Sequence, residues 1–200
     1  NPSSVCVVIR SVGERTVSFC RQSILAQGFS IESVIVVTRE PFTEALLECF
    51  KMGVDSGKKW LAVVDADLIL TSTSIQKLVE EISLKDESVF EIQGYIFDRF
   101  FCGLRRGGLR IYRTDLLPFA LKCIPGSNVS IRPEADTLVA MRQIHNCSWC
   151  YSKTVTGLHD FEQFYSDILR KSLVYGVKHR FLAEMFEVIW SRHQDHDYRV

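Results

Sequence analysis

The chain has no excess charge of either sign: 24 lysines and arginines balance 24 aspartates and glutamates over 200 residues. That excludes the overall basic field that would draw nucleic acid or an anionic membrane, so any anion binding must be local. No apolar run approaches the roughly 18–20 residues of a bilayer-crossing helix, and no signal-peptide pattern opens the chain. The chain starts at Asn1 without a methionine, which leaves room for excision from a longer protein and for peripheral membrane association through its flanks. Internal repeats, low-complexity segments and clear linkers are lacking too. The seven cysteines are odd in number and scattered, and Cys6, Cys20 and Cys49 fall in apolar-periodic segments. Buried thiols in a reducing, cytoplasmic compartment explain them better than a disulfide framework. What remains is a chain 46% hydrophobic and 24% charged, which suits one globular domain with a sizeable core.

The most informative stretch is residues 60–70, an apolar run interrupted by Asp65-Ala66-Asp67. Charges at the end of a buried strand are costly unless neutralised, and a divalent cation is a common partner. Residues two apart in a strand point to the same side, so Asp65 and Asp67 can converge on one ligand. The plain alternative is a strand-end loop whose acids cap a helix or face water.

Around this stretch the chain alternates between strand and helix patterns. The β-branched run at 5–9 predicts a buried strand that ends at Arg10-Ser11. Thr16 caps a helix with Val17, Cys20, Ile24 and Leu25 at helical spacing, closed by Gly28. A second buried strand at 33–37 ends at Thr38-Arg39, and a helix follows with Ala45, Leu46, Cys49 and Phe50 inward and Gly53 as its stop. The Asp-Ala-Asp stretch is then the third strand. All strands are apolar throughout, which predicts a parallel sheet covered on both faces, a Rossmann-like half over residues 1–85. Ligands sit beyond the carboxyl ends of such strands, where Arg10, Ser11, Thr38, Arg39, Asp65 and Asp67 all lie.

Thr73 and Gln76 form a capping-box pair for a helix with Ile75, Leu78, Val79 and Ile82 inward. Residues 89–98 alternate like a half-exposed strand, 102–108 read as a mobile basic loop, and 109–113 alternate again. Residues 86–177 thus form a second half that extends the sheet in mixed or antiparallel fashion. Asp160 and Gln163 read as a further capping pair, placing His159 on a loop just before a helix. Residues 178–200, with Phe181, Leu182, Met185, Phe186, Ile189 and Trp190, suggest a C-terminal helix. His145, Cys147 and Cys150 hint at zinc, but a single Cys-X-X-Cys is poor evidence. His193 and His196 read as solvated.

This order of parts, with residues 4–11, 22–27 and 44–53 leading into Asp65-Ala66-Asp67, resembles a GT-A glycosyltransferase of the family 2 type. The resemblance is good over the first eighty residues and loose beyond. It implies an α/β, Rossmann-like GT-A fold, with a mostly parallel central sheet, helices on both faces and a small mixed or antiparallel extension. It implies a metal-dependent hexosyl- or deoxyhexosyltransferase that takes a UDP-, GDP- or dTDP-sugar donor to a glycan or glycoprotein acceptor hydroxyl. Arg10, Ser11, Arg15, Thr38, Arg39, Asp65, Ala66 and Asp67 would line the nucleotide and diphosphate pocket. Asp67 would hold Mn²⁺ or Mg²⁺ directly, with Asp65 in its shell and at the ribose, and His159 would add a late ligand. Asp136, Glu134 and Asp98 are the candidate catalytic bases. The family often has proline and threonine after the first strand and an acid after the second; Arg10-Ser11 and Thr38-Arg39 depart from this, so the base of the donor stays open.

Three rivals share parts of the pattern. A nucleotidyltransferase that makes nucleotide sugars wants a glycine-rich loop after the first strand, where only Gly13 stands. A phosphatase of the haloacid dehalogenase type places its Asp-X-Asp after the first strand. A non-catalytic binding domain would keep the fold as a scaffold.

Overall fold

The computed structural model describes residues 2–178, together with Val188 and Ser191. The expected C-terminal helix beyond Lys178, with its apolar set and His193 and His196, lies outside those residues.

The strands are β1 Val5–Ser11, β2 Val34–Thr38, β3 Trp60–Asp65, β4 Leu68–Leu70, β5 Val89–Asp98, β6 Gly103–Arg113 and β7 Ser148–His159. They form one sheet in the order β2-β1-β3-β6-β5-β7-β4. The first three run parallel, as the β-branched runs and intervening helical patterns predict. The rest is mixed: β3–β6, β6–β5 and β7–β4 are antiparallel, and β5–β7 is parallel.

The helices are α1 Val17–Leu25, α2 Phe42–Asp55, α3 Ser74–Ser83, α4 Leu117–Cys123, α5 Pro133–His145 and α6 Tyr165–Lys178. Because strand side chains alternate, each central strand feeds two cores. Val7, Ile9 and Val64 pack with Cys20 and Ile24 of α1 and with Ile75, Leu78 and Ile82 of α3. Val8, Leu61 and Val63 pack on the other face with Leu46, Cys49 and Phe50 of α2, Leu117 of α4 and Met141 of α5.

Several local expectations are corrected by tertiary contacts. β2 is the sheet edge, so Ile35 and Val36 are half-exposed rather than buried. Thr16 does not cap α1; its hydroxyl donates to the Ala66 carbonyl at 2.8 Å and ties α1 to the Asp-Ala-Asp turn. Thr73 makes no side-chain cap either, and the Ile75 amide donates to Gln27 Oε1 at 3.1 Å. The basic loop expected at 102–108 is instead most of β6. Its Gly108 has φ +78, and a Cβ there would meet Leu68 Cδ2 at 2.9 Å, so the strand passes tightly under β4.

Gly53 does not end α2, which continues to Asp55; it is a packing glycine. A Cβ at Gly53 would sit 2.5 Å from Leu117 Cδ1 and 2.9 Å from Leu61 Cδ2. Overpacking of this kind costs about 1–3 kcal/mol. Gly53→Ala should therefore lower stability by about that amount in urea denaturation, although alanine is the better helix former.

Candidate active site

Three strand ends meet at one edge of the sheet. Asp67 immediately precedes β4, Asp98 ends β5 and His159 ends β7. In register, Leu68 faces His159 across the antiparallel pair and Asp98 lies beside His159 across the parallel one. Backbone bonds lock the junction: the Asp160 amide donates to the Asp67 carbonyl at 3.0 Å, and the Arg99 amide donates to the His159 carbonyl at 3.1 Å. Asp160 itself has φ +57, a left-handed conformation that aspartate visits more readily than most residues. His159 is thus the last strand residue rather than a loop residue, and Asp160 is no helix cap, because α6 begins only at Tyr165.

The side chains form a dense charge cluster. His159 Nε2 lies 3.1 Å from Asp67 Oδ1, and its Nδ1 lies 3.1 Å from Asp98 Oδ2 and 3.2 Å from Asp160 Oδ2. Lys171 of α6 places its Nζ 2.8 Å from Asp67 Oδ2 and also bonds Asp160 Oδ1. Arg105 of β6 bonds Asp98. Asp67, Asp98, His159 and Asp160 are all buried. Burial would raise the Asp67 carboxyl, but the His159 and Lys171 charges outweigh it and hold it well below the carboxylate range. Asp98 is also lowered: burial opposes, and the His159 hydrogen bond and Arg105 charge prevail. Burial would depress His159, yet the Asp67 and Asp160 carboxylates push it well above its ordinary value.

Asp67, His159 and Asp160 can each turn one ligand atom to a common point, since those atoms lie within 4.8 Å of one another. Two carboxylate oxygens and an imidazole nitrogen suit Mn²⁺, and the oxygens suit Mg²⁺. The Lys171 ammonium already bridges both carboxylates, so the position favours positive charge. The residues present therefore fit a divalent cation. Among the described residues this is where three such side chains meet; His145, Cys147 and Cys150 form no comparable group, and neither does Asp65.

Asp65 belongs to a second buried cluster. Arg10 grips Asp65 Oδ1 with Nη2 at 2.6 Å and Nε at 3.1 Å, and reaches Glu134 Oε1 with Nη1 at 3.4 Å. Glu134 also accepts from the Tyr112 hydroxyl at 2.6 Å and pairs with Arg110 at 3.0 Å. Burial would raise Glu134, but Arg110 and Arg10 hold it below its usual value. Arg110 reaches on to Glu91 at 2.6 Å. The two acids of the Asp-Ala-Asp triplet thus serve different clusters. The strand stops at Asp65, the Ala66 amide donates to the Arg10 carbonyl at 3.0 Å, and the alternation that would align the pair is broken.

The remaining residues named from sequence are scattered around these clusters. Ser11 donates to Glu14 Oε2 at 2.6 Å, and the Val12 amide donates to the same oxygen at 2.8 Å, so an acid folds back onto the loop after β1. Arg15 pairs with Glu162 at 3.0 Å and stacks over Phe164 at 5.1 Å. Thr38 is exposed, and Arg39 pairs with Glu48 of α2 at 2.6 Å. Ala66 is buried at the pivot between the two acids. Asp136 is exposed on the first turn of α5 and accepts from the Ser130 hydroxyl. Sequence reasoning missed Asp160, Lys171 and Phe42, whose half-exposed ring covers Arg10 at 4.1 Å. The adjacency of Asp160 to His159 was the one available signal; Lys171 offered none.

No family model matches the chain, and no curated protein matches it. Solved structures do. A glycosyltransferase involved in glycosylation of the PBCV-1 major capsid is 9% identical over 80% of this chain and 94% of its own, with a TM-score of 0.52. Glucosyl-3-phosphoglycerate synthase from Mycobacterium tuberculosis, solved with Mn²⁺, UDP and phosphoglyceric acid, is 13% identical over 90% of this chain and 78% of its own, with a TM-score of 0.54. The chain has the GT-A fold. The 4-diphosphocytidyl-2C-methyl-D-erythritol synthase of Anaerococcus prevotii, 5% identical over 82% of this chain and 92% of its own with a TM-score of 0.55, places nucleotidyl transfer on a similar scaffold. Among the described residues no helix is long and apolar enough to cross a membrane.

Proposed function

We propose that this chain is a metal-dependent glycosyltransferase that moves a sugar from a nucleoside diphosphate to an acceptor hydroxyl, on a glycan or glycoprotein. The observation that carries the reading is the Asp67–His159–Asp160 group at the strand ends. Mn²⁺ or Mg²⁺ bound there would offset the charge of the diphosphate as its bond to the sugar breaks. Asp67 and His159 Nε2 would hold the ion, with Asp160 as a third donor. Asp98 becomes a positioning residue: by accepting from Nδ1 it would hold the neutral imidazole, once an ion is bound, in the tautomer that leaves Nε2 as the ligand atom. Asp65 orders Arg10 beneath the Phe42 ring, at the mouth expected to take the nucleotide.

Of the three candidate bases, Glu134 is sealed between two arginines and a tyrosine, and Asp98 is fully buried and ion-paired. Asp136 alone is open to an acceptor hydroxyl, so it takes the role of proton acceptor. Asp136→Asn should lower kcat by about 10²–10⁴-fold with the donor KM little changed, read in a transfer assay.

Nucleotidyl transfer is the second reading, on the strength of the scaffold. Against it, the loop after β1 turns its Val12 amide to the Glu14 carboxylate, a poor cradle for a triphosphate. Incubation with UDP-, GDP- and dTDP-sugars, with and without Mn²⁺, tests the proposal. Metal-dependent release of nucleoside diphosphate supports it; pyrophosphate release from a nucleoside triphosphate and a sugar phosphate would replace it with the second reading. Binding of none of them would favour a scaffold.

A further inference from the structure

Lys171 rises from the second turn of α6 to the same two carboxylates that a cation would need, bonding Asp67 Oδ2 and Asp160 Oδ1. Among the described residues, Asp67, Asp98 and Asp160 already face Arg105, His159 and Lys171. We propose that Lys171 is a tethered cation that occupies the metal position, so that a divalent ion and the Lys171 ammonium exclude each other and the ion's arrival releases α6. The inference rests on the metal reading above and adds the residue that sets how readily the site loads.

The helix is built for such release. Arg170 pairs with Asp167 inside α6, and the Ser172 hydroxyl donates to the Ile168 carbonyl inside it as well. Tyr165, Leu169 and Leu173 recur every four residues and are all exposed, so this stripe of the helix buries little against the sheet. Among the described residues, the ion pairs from α6 to the strand ends are those of Lys171. A divalent ion bound by the same carboxylates would lie within a few ångströms of the ammonium, where like charges in a water-poor site repel strongly. Elements with little buried area are also those that open at low cost.

The test uses Mn²⁺ alone. Free Mn²⁺ is measured by electron paramagnetic resonance against wild type, Lys171→Met and Lys171→Arg, while hydrogen exchange follows residues 165–178. Lys171→Met keeps the apolar stem and removes the charge. It should bind Mn²⁺ at least tenfold more tightly than wild type, whereas Lys171→Arg should not. In wild type, saturating Mn²⁺ should speed exchange over 165–178 severalfold; in Lys171→Met exchange there should be fast beforehand and unchanged by the ion. Equal or weaker Mn²⁺ binding by Lys171→Met, or α6 exchange in wild type that Mn²⁺ leaves alone, overturns the role of Lys171 while the metal site stands. Absence of Mn²⁺ binding in all three proteins overturns both.

Discussion

Asp67→Asn is expected to lose Mn²⁺ binding and to lower donor turnover by about 10²–10³-fold, the scale seen when a preorganised charge partner is removed from a reacting centre. Asp67 is the residue on which the whole cluster turns. One of its oxygens faces His159 Nε2 and the other faces Lys171, so the substitution removes a formal charge with hardly any change of shape. The fold should survive, because His159 keeps Asp98 and Asp160, and Lys171 keeps Asp160. Asp65→Asn is the informative companion. It should leave Mn²⁺ binding within a few-fold of wild type and act instead through Arg10 on nucleotide affinity. Equal loss of Mn²⁺ binding in the two variants would mean that the acids share one ion after all. Calorimetric titration with Mn²⁺, in the presence and absence of UDP, distinguishes the outcomes.

Arg10→Met should destabilise the protein by about 3–5 kcal/mol, the usual consequence of leaving a buried charge without its partner. Arg10 is almost wholly buried and pairs with both Asp65 and Glu134. Burial opposes its charge, but the Asp65 and Glu134 carboxylates hold its pKa above the ordinary arginine value. Methionine would leave Asp65 without its fork and Glu134 with Arg110 and Tyr112 only. The double variant Arg10→Met/Asp65→Asn should recover part of the loss, because the carboxylate left without its fork is then gone. Urea denaturation of the single and double variants measures both effects. A loss below about 1 kcal/mol for Arg10→Met, the range of a surface pair, would show that solvent reaches this network.

The parallel half of the fold was legible because its signals are local. β-branched runs, apolar positions at helical spacing and the helices between them placed β1 to β3 and α1 to α3, and the inward residues Ala45, Leu46, Cys49 and Phe50 are all buried. The second half was harder because buried polar pairs imitate a solvent-facing strand. Glu91 and Gln93 alternate with apolar residues, yet both are buried, and Arg110 on the next strand, 19 residues away, pairs with Glu91. The same limit applies to the candidate site. Asp67 and His159 were each readable, but Asp65 was placed beside Asp67 on the assumption of an unbroken strand. The bend at Ala66 depends on Thr16 and Arg10, which are fifty or more residues distant. Asp160 was hidden by its spacing to Gln163, which imitates a helix cap. Lys171 was hidden because nothing in a helical pattern marks which lysine turns inward.

The most direct measurement of the central claim is a crystal structure of the protein soaked with Mn²⁺ and UDP, with anomalous scattering used to place the ion. One manganese peak is expected, coordinated by Asp67 and His159, with the Lys171 ammonium withdrawn and the diphosphate on the open side of the ion. A peak held by Asp65 and Glu134, or UDP bound with no manganese between its phosphates and Asp67, would contradict it.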